Sequence, residues 1–432
     1  MESNDVIQLI ANTDAVPPLP VVVGRMLQVA DNPSSNAMDL ANIIAEDTAL
    51  TARVLKLVNS SFYGFSREIS TVTESVILLG FEAITNLVIG MTITSLMAVG
   101  QSRVLDRQRF WQHSLGAAAA ARILSRLVDY PNPEEALIAG LMHDIGKLFF
   151  DEYMPDEYAA VVRLLHAGER NELRAEHDVL QTDHASAGQM LLRRWRLPVI
   201  YQLVTRYHHA PLQCEARLST RTGKLVGCTY LADVFTKMHG DACDADAYVP
   251  TVDPRVWKLM RLTDENGSRV FLMFDQEVKR AREFFGIACS DDLGDINLVK
   301  EGEIKRVILA RRHQPSVSTI KIILTAAGFE VSYGLITRQG IEMPPGAEAH
   351  IVIIDEEDIA ADFGNMDSFV AQVLTGNDLR VVILREQSTP KYEAEIHERQ
   401  GVFFLEKPFR AADLVEKLRN ILGTQTRGAS LA

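Results

Sequence analysis

The sequence predicts a multidomain protein, an all-helical N-terminal part followed by an α/β domain with a doubly wound sheet. Apolar residues recur at helical spacing to about residue 286, as in Leu50, Val54, Leu57 and Val58. From about residue 304, short β-branched runs alternate with amphipathic stretches, which is typical of a parallel sheet covered by helices. A chain of 432 residues, 47% of them apolar, is long enough for two or three domains with their own cores.

Proline and polar segments set the predicted boundaries. The AVPPLP segment at residues 15–20 cannot be helix interior, Pro131 and Pro133 separate two helices, and Pro198 starts another. The polar segment SDDLGDINLVKEGE has no periodicity, which is typical of a linker. We therefore expect a helical domain over residues 1–286, a linker over 287–303, an α/β domain over 304–422 and a flexible tail over 423–432.

Four strands and four helices are predicted within the α/β domain. The strands, mostly apolar and so expected to be buried on both faces, are Val307–Ala310, His350–Ile354, Leu379–Leu384 and Val402–Leu405. The helices are Ser318–Ala327, Ser368–Thr375, Pro390–Gln400 and Ala411–Leu422.

Charge and cysteine content exclude several classes of protein. A net charge of -13 argues against nucleic acid or an anionic membrane as the main partner. The four cysteines show no CxxC spacing, so we expect free thiols and a cytoplasmic protein. The uncharged stretch Ala83–Ser102 is interrupted by polar residues and is predicted to be a buried helix rather than a membrane span. Trp111, Trp195 and Trp257 are expected in the core.

The order of three segments carries a family resemblance. AVPPLP is followed by the helical IIAEDTALTARVLKLVNSSFYGF and then by ISTVTESVILLGFEAITNLVIG. This order resembles the HDOD family, helical output or adaptor domains of bacterial signalling proteins, and the resemblance extends to about residue 240. It implies an all-α HDOD domain that binds a partner.

Histidine and aspartate residues that could carry chemistry lie within the same span. They are His113, His143, Asp144, His184, His208, His209 and Asp233. Imidazole together with carboxylate suits a divalent Zn, Fe, Mn or Ni ion rather than Ca. Lys147 lies on the helical face of His143 and Asp144 and could contact a substrate phosphate. His166, His177 and His239 match no pattern and are expected at the surface.

The same residues resemble the metal-ligand pattern of the HD superfamily of phosphohydrolases, over about residues 103–240. His113 matches the early His, His143 and Asp144 the His-Asp pair, and Asp233 the last ligand. The resemblance to the HD-GYP phosphodiesterase branch adds the ligands His184, His208 and His209. The sequence departs from that branch after His209, because Ala210 and Pro211 replace an acidic residue and a Gly-Tyr-Pro run. The alternative to a metal site is a hydrogen-bonded polar cluster inside the bundle.

Residues 304–422 resemble a response-regulator receiver domain, which has a flavodoxin-like fold. Asp355 stands at the position of the phosphoryl acceptor, and Lys407 at that of the receiver lysine. Arg311 and Arg312 replace the acidic residues that bind Mg, and Arg385 replaces the hydroxyl residue. Three guanidinium groups would repel Mg and could pair with Asp355, so we expect a pseudo-receiver for docking or dimerisation.

Two functions remain open at this stage. One is a noncatalytic signalling protein whose helical domain binds another signalling protein, a small ligand or a nucleotide, with a homodimer as a further possibility. The other is a metal-dependent phosphohydrolase acting on a nucleotide or phosphodiester, in which His113, His143, Asp144 and Asp233 hold the metal. The sequence leans toward the noncatalytic protein, because the HDOD resemblance implies an output or adaptor domain and the cyclic-dinucleotide motif after His209 is absent.

Overall fold

The computed structural model shows a helical part that extends to Phe285 and a mixed sheet that begins at Arg306. It describes residues 6, 9–10, 16–60, 63–98, 103–166, 171–214, 217–239, 251–287, 305–312, 318–337, 340–343, 349–363, 369, 380–386, 401–407, 409 and 411–423. Most of the predicted linker, the predicted tail and nearly all of the predicted helices Ser368–Thr375 and Pro390–Gln400 lie outside these residues.

The described helices of the N-terminal part follow the predicted periodicity. Those before the central bundle are α1 (Val21–Ala30), α2 (Ala37–Ala45), α3 (Thr48–Val58), α4 (Val72–Leu79) and α5 (Phe81–Ala98). Those that follow are α6 (Arg107–Leu127), α7 (Pro133–Met142), α8 (Ile145–Tyr153), α9 (Pro155–His166), α10 (Glu172–Leu180), α11 (His184–Arg194), α12 (Val199–Tyr207), α13 (Arg221–His239), α14 (Pro254–Leu259) and α15 (Asp264–Phe285).

Side-chain caps and prolines fix where several helices begin. Asn36 and Thr263 form capping boxes at the starts of α2 and α15, which satisfy backbone N–H groups that have no partner within the helix. Pro133 occupies the first turn of α7, where its missing N–H costs nothing. Pro198 immediately precedes α12, as the sequence predicts.

Small residues let the central helices approach closely. Ala117 to Ala121 on α6 are fully buried, and α7 packs along α6. Gly140 of α7 lies directly on the α6 backbone, because a Cβ there would come within 2.5 Å of the carbonyl oxygen of Ala117. This contact brings His143, at the end of α7, toward His113 on α6.

A second close approach joins α8 to α11. A Cβ on Gly146 would lie 2.0 Å from the carbonyl oxygen of His184 and 2.9 Å from the backbone nitrogen of Gly188. Glycine therefore sets the distance between the His143-Asp144 segment, just before α8, and His184, the first residue of α11.

The described residues of the C-terminal part form a six-stranded mixed sheet in the order β3-β2-β1-β4-β5-β6. Its strands are β1 (Arg306–Arg311), β2 (Glu330–Thr337), β3 (Gly340–Glu342), β4 (Ile351–Asp355), β5 (Arg380–Glu386) and β6 (Val402–Lys407), and its described helices are α16 (Thr319–Ala326), α17 (Glu356–Phe363) and α18 (Ala411–Gly423). All strand pairs are parallel except β2 with β3. Counted alone, the five parallel strands have the order 2-1-3-4-5, a common doubly wound order.

Both faces of the central strands are buried, as predicted from their uninterrupted apolar sequence. In β4, Ile351 and Ile353 join the core on one face, and Val352 and Ile354 join the core on the other. The expectation missed β2 and β3, because β2 is an edge-side strand whose residues are mostly half-buried or exposed and form no apolar run. It also missed α17, whose first turn is the acidic Glu356-Glu357-Asp358.

The burial of three tryptophans agrees with the prediction, and that of one histidine does not. Trp111, Trp195 and Trp257 are buried, as expected. His239 is buried rather than at the surface, because it stacks on Phe274 and pairs with Asp275 at 3.0 Å.

The apolar segment around α5 is largely buried against other helices. Within the described residues, no single helix is long and apolar enough to cross a membrane. The bent pair Val72–Leu79 and Phe81–Met97, with an angle of 115° between its helices, meets the requirement by length and composition alone.

The contact at Gly146 gives the first testable prediction. Gly146→Ala should lower the free energy of unfolding by about 1–3 kcal/mol, because the added methyl group forces α8 and α11 apart. The matched control is Gly24→Ala in α1, where nothing lies within 4 Å of an added Cβ and where alanine should stabilise the helix by about 0.5–1 kcal/mol. Denaturant titration measures both, and a Gly146→Ala protein as stable as the wild type would contradict the packing described here.

Candidate functional site

The predicted ligand residues lie in or beside six helices and meet at one buried place. His113 lies within α6, and Asp233 within α13. His143 and Asp144 lie between α7 and α8, His184 begins α11, and His208 and His209 follow α12. All of them are buried except His209, which is half-buried. The structure thus brings together all seven residues that the sequence singled out.

Two imidazole nitrogens lie beside one oxygen of Asp144, and a second carboxylate lies next to them. Oδ2 of Asp144 lies 3.6 Å from Nε2 of His113 and 3.4 Å from Nε2 of His143. Nε2 of His113 and Nε2 of His143 are 3.2 Å apart, and Oδ1 of Asp233 lies 3.2 Å from Nε2 of His113. We call this group, formed by His113, His143, Asp144 and Asp233, site A.

The other oxygen of Asp144 faces a second group. Oδ1 of Asp144 lies 3.2 Å from Nε2 of His184 and 3.3 Å from Nε2 of His208. Nε2 of His184 is 2.9 Å from Nε2 of His209 and 3.4 Å from that of His208. We call this group, formed by Asp144, His184, His208 and His209, site B. Asp144 therefore bridges sites A and B with one oxygen each.

The outer nitrogens of the imidazoles fix which atom faces the site. Nδ1–H of His143 donates to the Gly140 carbonyl at 2.7 Å, and Nδ1–H of His208 donates to the Thr205 carbonyl at 2.8 Å. The neutral form of each ring then carries its lone pair on Nε2, pointing inward. Metal-bound histidines in proteins commonly hold their second N–H in this way.

Inside the site, lone pairs face lone pairs. Both carboxylate oxygens of Asp144 and Oδ1 of Asp233 are buried; they face imidazole nitrogens and, at Oδ2 of Asp144, the Lys147 ammonium at 2.9 Å. Buried polar atoms normally have partners, and inward-facing Nε2 atoms at about 3 Å repel one another and these oxygens unless a cation lies between them. The donors of sites A and B therefore fit divalent cations, and imidazole with carboxylate suits Zn, Fe, Mn or Ni.

The pKa values of the histidines also reflect the negative charge of the buried carboxylates. Burial lowers the pKa of His143, but the carboxylates of Asp144 and Asp233 outweigh burial and raise it to about 9. Burial also opposes protonation of His184, yet Glu176 and Asp144 hold its pKa well above the usual value. Burial lowers the pKa of His208 to about 4, because Asp144 offsets only part of that cost. Protons on His143 and His184 thus supply positive charge when no metal is bound.

Two lysines complete the charge balance. Lys147, the predicted phosphate contact, is buried, lies 2.9 Å from Oδ2 of Asp144 and pairs also with Glu172. Lys237 is only half-buried and lies 3.1 Å from Oδ2 of Asp233. Lys237 is therefore the ammonium group nearer to solvent, and its position four residues after Asp233 was the sequence signal for it.

Glu172 and Glu176 are the other residues that sequence reasoning missed. Together with His184 they form a third group of potential ligands. The oxygens of Glu176 accept N–H groups of His184, and Glu172 is paired with the Lys147 ammonium. These two carboxylates therefore support the ligands of sites A and B rather than offering a third cation site. Two acidic residues in a charged helix carry no sequence signal for such a role.

The candidate site of the sheet lies at the carboxyl ends of its strands. Asp355 ends β4, and its Oδ2 lies 2.7 Å from Nζ of Lys407 and 3.3 Å from Nη1 of Arg311. Arg311 also reaches Asp358 at 3.4 Å. The expected pairing of the acceptor carboxylate with a guanidinium group thus holds for Arg311.

The other two arginines do not join Asp355 as expected. Arg385 is directed to Glu406, its cross-strand neighbour on β6, at 2.8 Å, and lies over the ring of Phe404. The glutamate and the aromatic face offer Arg385 a nearer partner than Asp355. Arg312 is exposed just beyond the end of β1.

Comparison with known proteins identifies the helical part. Residues 16–211 match the model of the HDOD domain family. An HDOD domain protein of unknown function from Geobacter sulfurreducens superposes with a TM-score of 0.56 and 24% identity, over 66% of this chain and 98% of that chain. The presence of an HDOD domain is therefore confirmed for residues 16–211.

Two further solved structures each superpose with a TM-score of 0.50. One, from Marinobacter aquaeolei, is proposed to be a signal transduction protein and is 23% identical, over 66% of this chain and 60% of that chain. The other, from Shewanella amazonensis, is proposed to be a phosphohydrolase and is 21% identical, over 65% of this chain and 97% of that chain. At this level of identity the likeness shows the fold alone.

A curated relative adds no function. An uncharacterized protein of Treponema pallidum is 28% identical over 219 residues, which are 48% of this chain. The match spans 41% of the length of that relative.

The raised pKa of His143 gives a pH prediction. A cation must displace the proton from His143, so the affinity for Mn²⁺ should rise between pH 6.5 and 9, by at most about tenfold per pH unit for each proton displaced. Calorimetry in two buffers of different ionisation enthalpy measures both the affinity and the protons released. An affinity that stays constant between pH 6.5 and 8.5, with no proton release, would contradict the predicted competition.

Proposed function

We propose that this chain, which carries an HDOD domain, is a bacterial signalling protein whose helical part holds two divalent cations in a closed, noncatalytic site. The observation that carries this proposal is that Asp144 belongs to two groups of close donors, with His113 and His143 in site A, where Asp233 lies beside the imidazoles, and with His184, His208 and His209 in site B. The cations would stabilise the bundle in the form that a partner protein or a small ligand recognises.

The number and burial of the donors favour a regulatory ion over a catalytic one. Structural zinc sites are closed by four protein ligands, whereas catalytic sites keep one position open for water or substrate. Site B offers four protein donors and site A three, with Asp233 beside its imidazoles, and Asp144 and the imidazoles of His113, His143, His184 and His208 are 0–1% exposed. Such a shell leaves little room for a substrate atom on either cation.

We propose further that the α/β part is a pseudo-receiver that provides a docking or dimerising surface. The 2-1-3-4-5 order of its parallel strands supports a flavodoxin-like receiver fold. Arg311 and Lys407 place two positive charges on Asp355, where a working receiver needs a Mg ion and acidic ligands. Asp355 is thus neutralised by residues of the chain itself.

A second candidate function is that of a metal-dependent phosphohydrolase. One carboxylate bridging two groups of donors is also the arrangement of two-metal hydrolases, in which the cations activate a water and polarise the phosphorus–oxygen bond. In that case sites A and B would hold the cations, Asp144 would fix their spacing, and the half-buried Lys237 would bind the phosphate. The name proposed for the Shewanella protein is in keeping with this candidate.

An activity assay separates the two functions. The full chain, purified without chelator and supplied with Mn²⁺ or Fe²⁺, should bind metal yet hydrolyse bis(p-nitrophenyl) phosphate no faster than Asp144→Ala does. The physical reason is the closed shell of protein ligands. Turnover that depends on the metal and disappears in Asp144→Ala would overturn the noncatalytic proposal in favour of the hydrolase.

A phosphodonor tests the pseudo-receiver. Incubation with Mg²⁺ and acetyl phosphate should give no stoichiometric phosphorylation, because Arg311 and Lys407 already occupy the acceptor carboxylate. Intact-protein mass spectrometry provides the measurement. Stoichiometric phosphorylation that is lost in Asp355→Asn would show a working receiver.

A further inference from the structure

Glu176 makes three contacts with a single residue of site B. It lies in α10 and is fully buried. Its Oε2 accepts the backbone N–H of His184 at 2.8 Å, and its two oxygens lie 2.9 and 2.8 Å from Nδ1 of the same residue. Glu176 therefore holds both the start of α11 and the imidazole of its first residue.

The chain connecting α10 to α11 makes this double contact possible. α10 ends at Leu180, and the next residue, Gln181, adopts a left-handed conformation with φ of 55°. Asp183 caps α11 by accepting the N–H of Ser186 at 2.6 Å. The chain thus turns back within three residues, so that residue 184 meets the helix it has just left. The contact requires this tight turn.

The charge on the partner of Nδ1 distinguishes His184 from the neighbouring ligands. His143 and His208 donate their Nδ1–H to the neutral carbonyls of Gly140 and Thr205. His184 instead donates to a buried carboxylate, and hydrogen bonds to charged groups are roughly twice as strong as neutral ones. A carboxylate behind an imidazole fixes its tautomer and makes the inward Nε2 more basic.

From this we infer that Glu176 is a positioning residue for site B, which makes Nε2 of His184 the strongest imidazole donor to the cation there. This inference rests on the proposed binding of two cations. The role is local, because site A contains no residue that Glu176 contacts. Removal of the Glu176 charge should therefore weaken cation binding at site B and leave cation binding at site A unchanged.

The test uses Glu176→Gln in the full chain, since glutamine keeps the size and a hydrogen-bond acceptor but removes the charge. Calorimetric titration with Mn²⁺ should show one of two cations bound about 10–100-fold more weakly and the other unchanged. Glu176→Asp, which restores the charge on a shorter side chain, should recover part of the affinity. The matched control is Glu277→Gln, which removes a buried charge paired with Arg122 away from both sites and should leave both affinities unchanged.

Combining Glu176→Gln with a second substitution shows which of the two sites is weakened. In Asp233→Asn, which weakens site A, Glu176→Gln should still lower the affinity at the remaining site. In His208→Ala, which weakens site B, Glu176→Gln should have no further effect. Cobalt absorption spectra of the same proteins should change with Glu176→Gln only where site B is intact, a signature that loss of stability alone would not produce.

The possible results distinguish a failure of the Glu176 role from a failure of the proposed cation binding. A wild-type chain that binds no cation overturns both. Two cations in the wild type with Glu176→Gln unchanged overturn the role of Glu176 and leave the proposed function standing. Equal weakening of both cations in Glu176→Gln would show a general structural role and would also overturn the inference.

Discussion

The helical part is organised around one buried carboxylate that needs positive charge on both sides. Asp144 is 1% exposed, and its oxygens face four imidazole nitrogens and, at 2.9 Å, the ammonium of Lys147. Burying an ionised carboxylate is costly, so its pKa stays low only because His143, Lys147 and His184 surround it. Protons on histidines meet this need in part, and divalent cations would meet it better because each lies between several donors at once. The close contacts at Gly140 and Gly146 serve to bring those donors together.

Each part of the chain contains a buried carboxylate, and the two parts supply its balancing positive charge in different ways. In the sheet, Asp355 is paired with Arg311 and Lys407, so its balancing positive charge comes from side chains of the chain itself. In the helical part, most of the groups facing Asp144 are imidazoles, which can be neutral ligands or cations depending on pH and metal. A fixed charge state suits a docking surface, and an adjustable one suits a site that responds to metal.

The sequence predicted the composition of the site but not its arrangement. The spacing of His113, His143 and Asp233 resembles a known ligand pattern, and apolar periodicity gave the helices that carry them. Neither indicates Glu176, whose role depends on a tight turn that brings α10 against the first residue of α11. Nor does it indicate Lys237, whose charge matters only because Asp233 points toward it. In the sheet, apolar runs located the buried strands, whereas the half-exposed β2 lacked such a run.

The most direct test of the central claim is a map of the metal itself. Crystals of the full chain grown with Mn²⁺ and measured at the manganese absorption edge should show two anomalous peaks, one beside each oxygen of Asp144. One peak should be surrounded by His113, His143 and Asp233, and the other by the three histidines of site B. Absence of both peaks in crystals that diffract well, or metal bound without contact to Asp144, would contradict it.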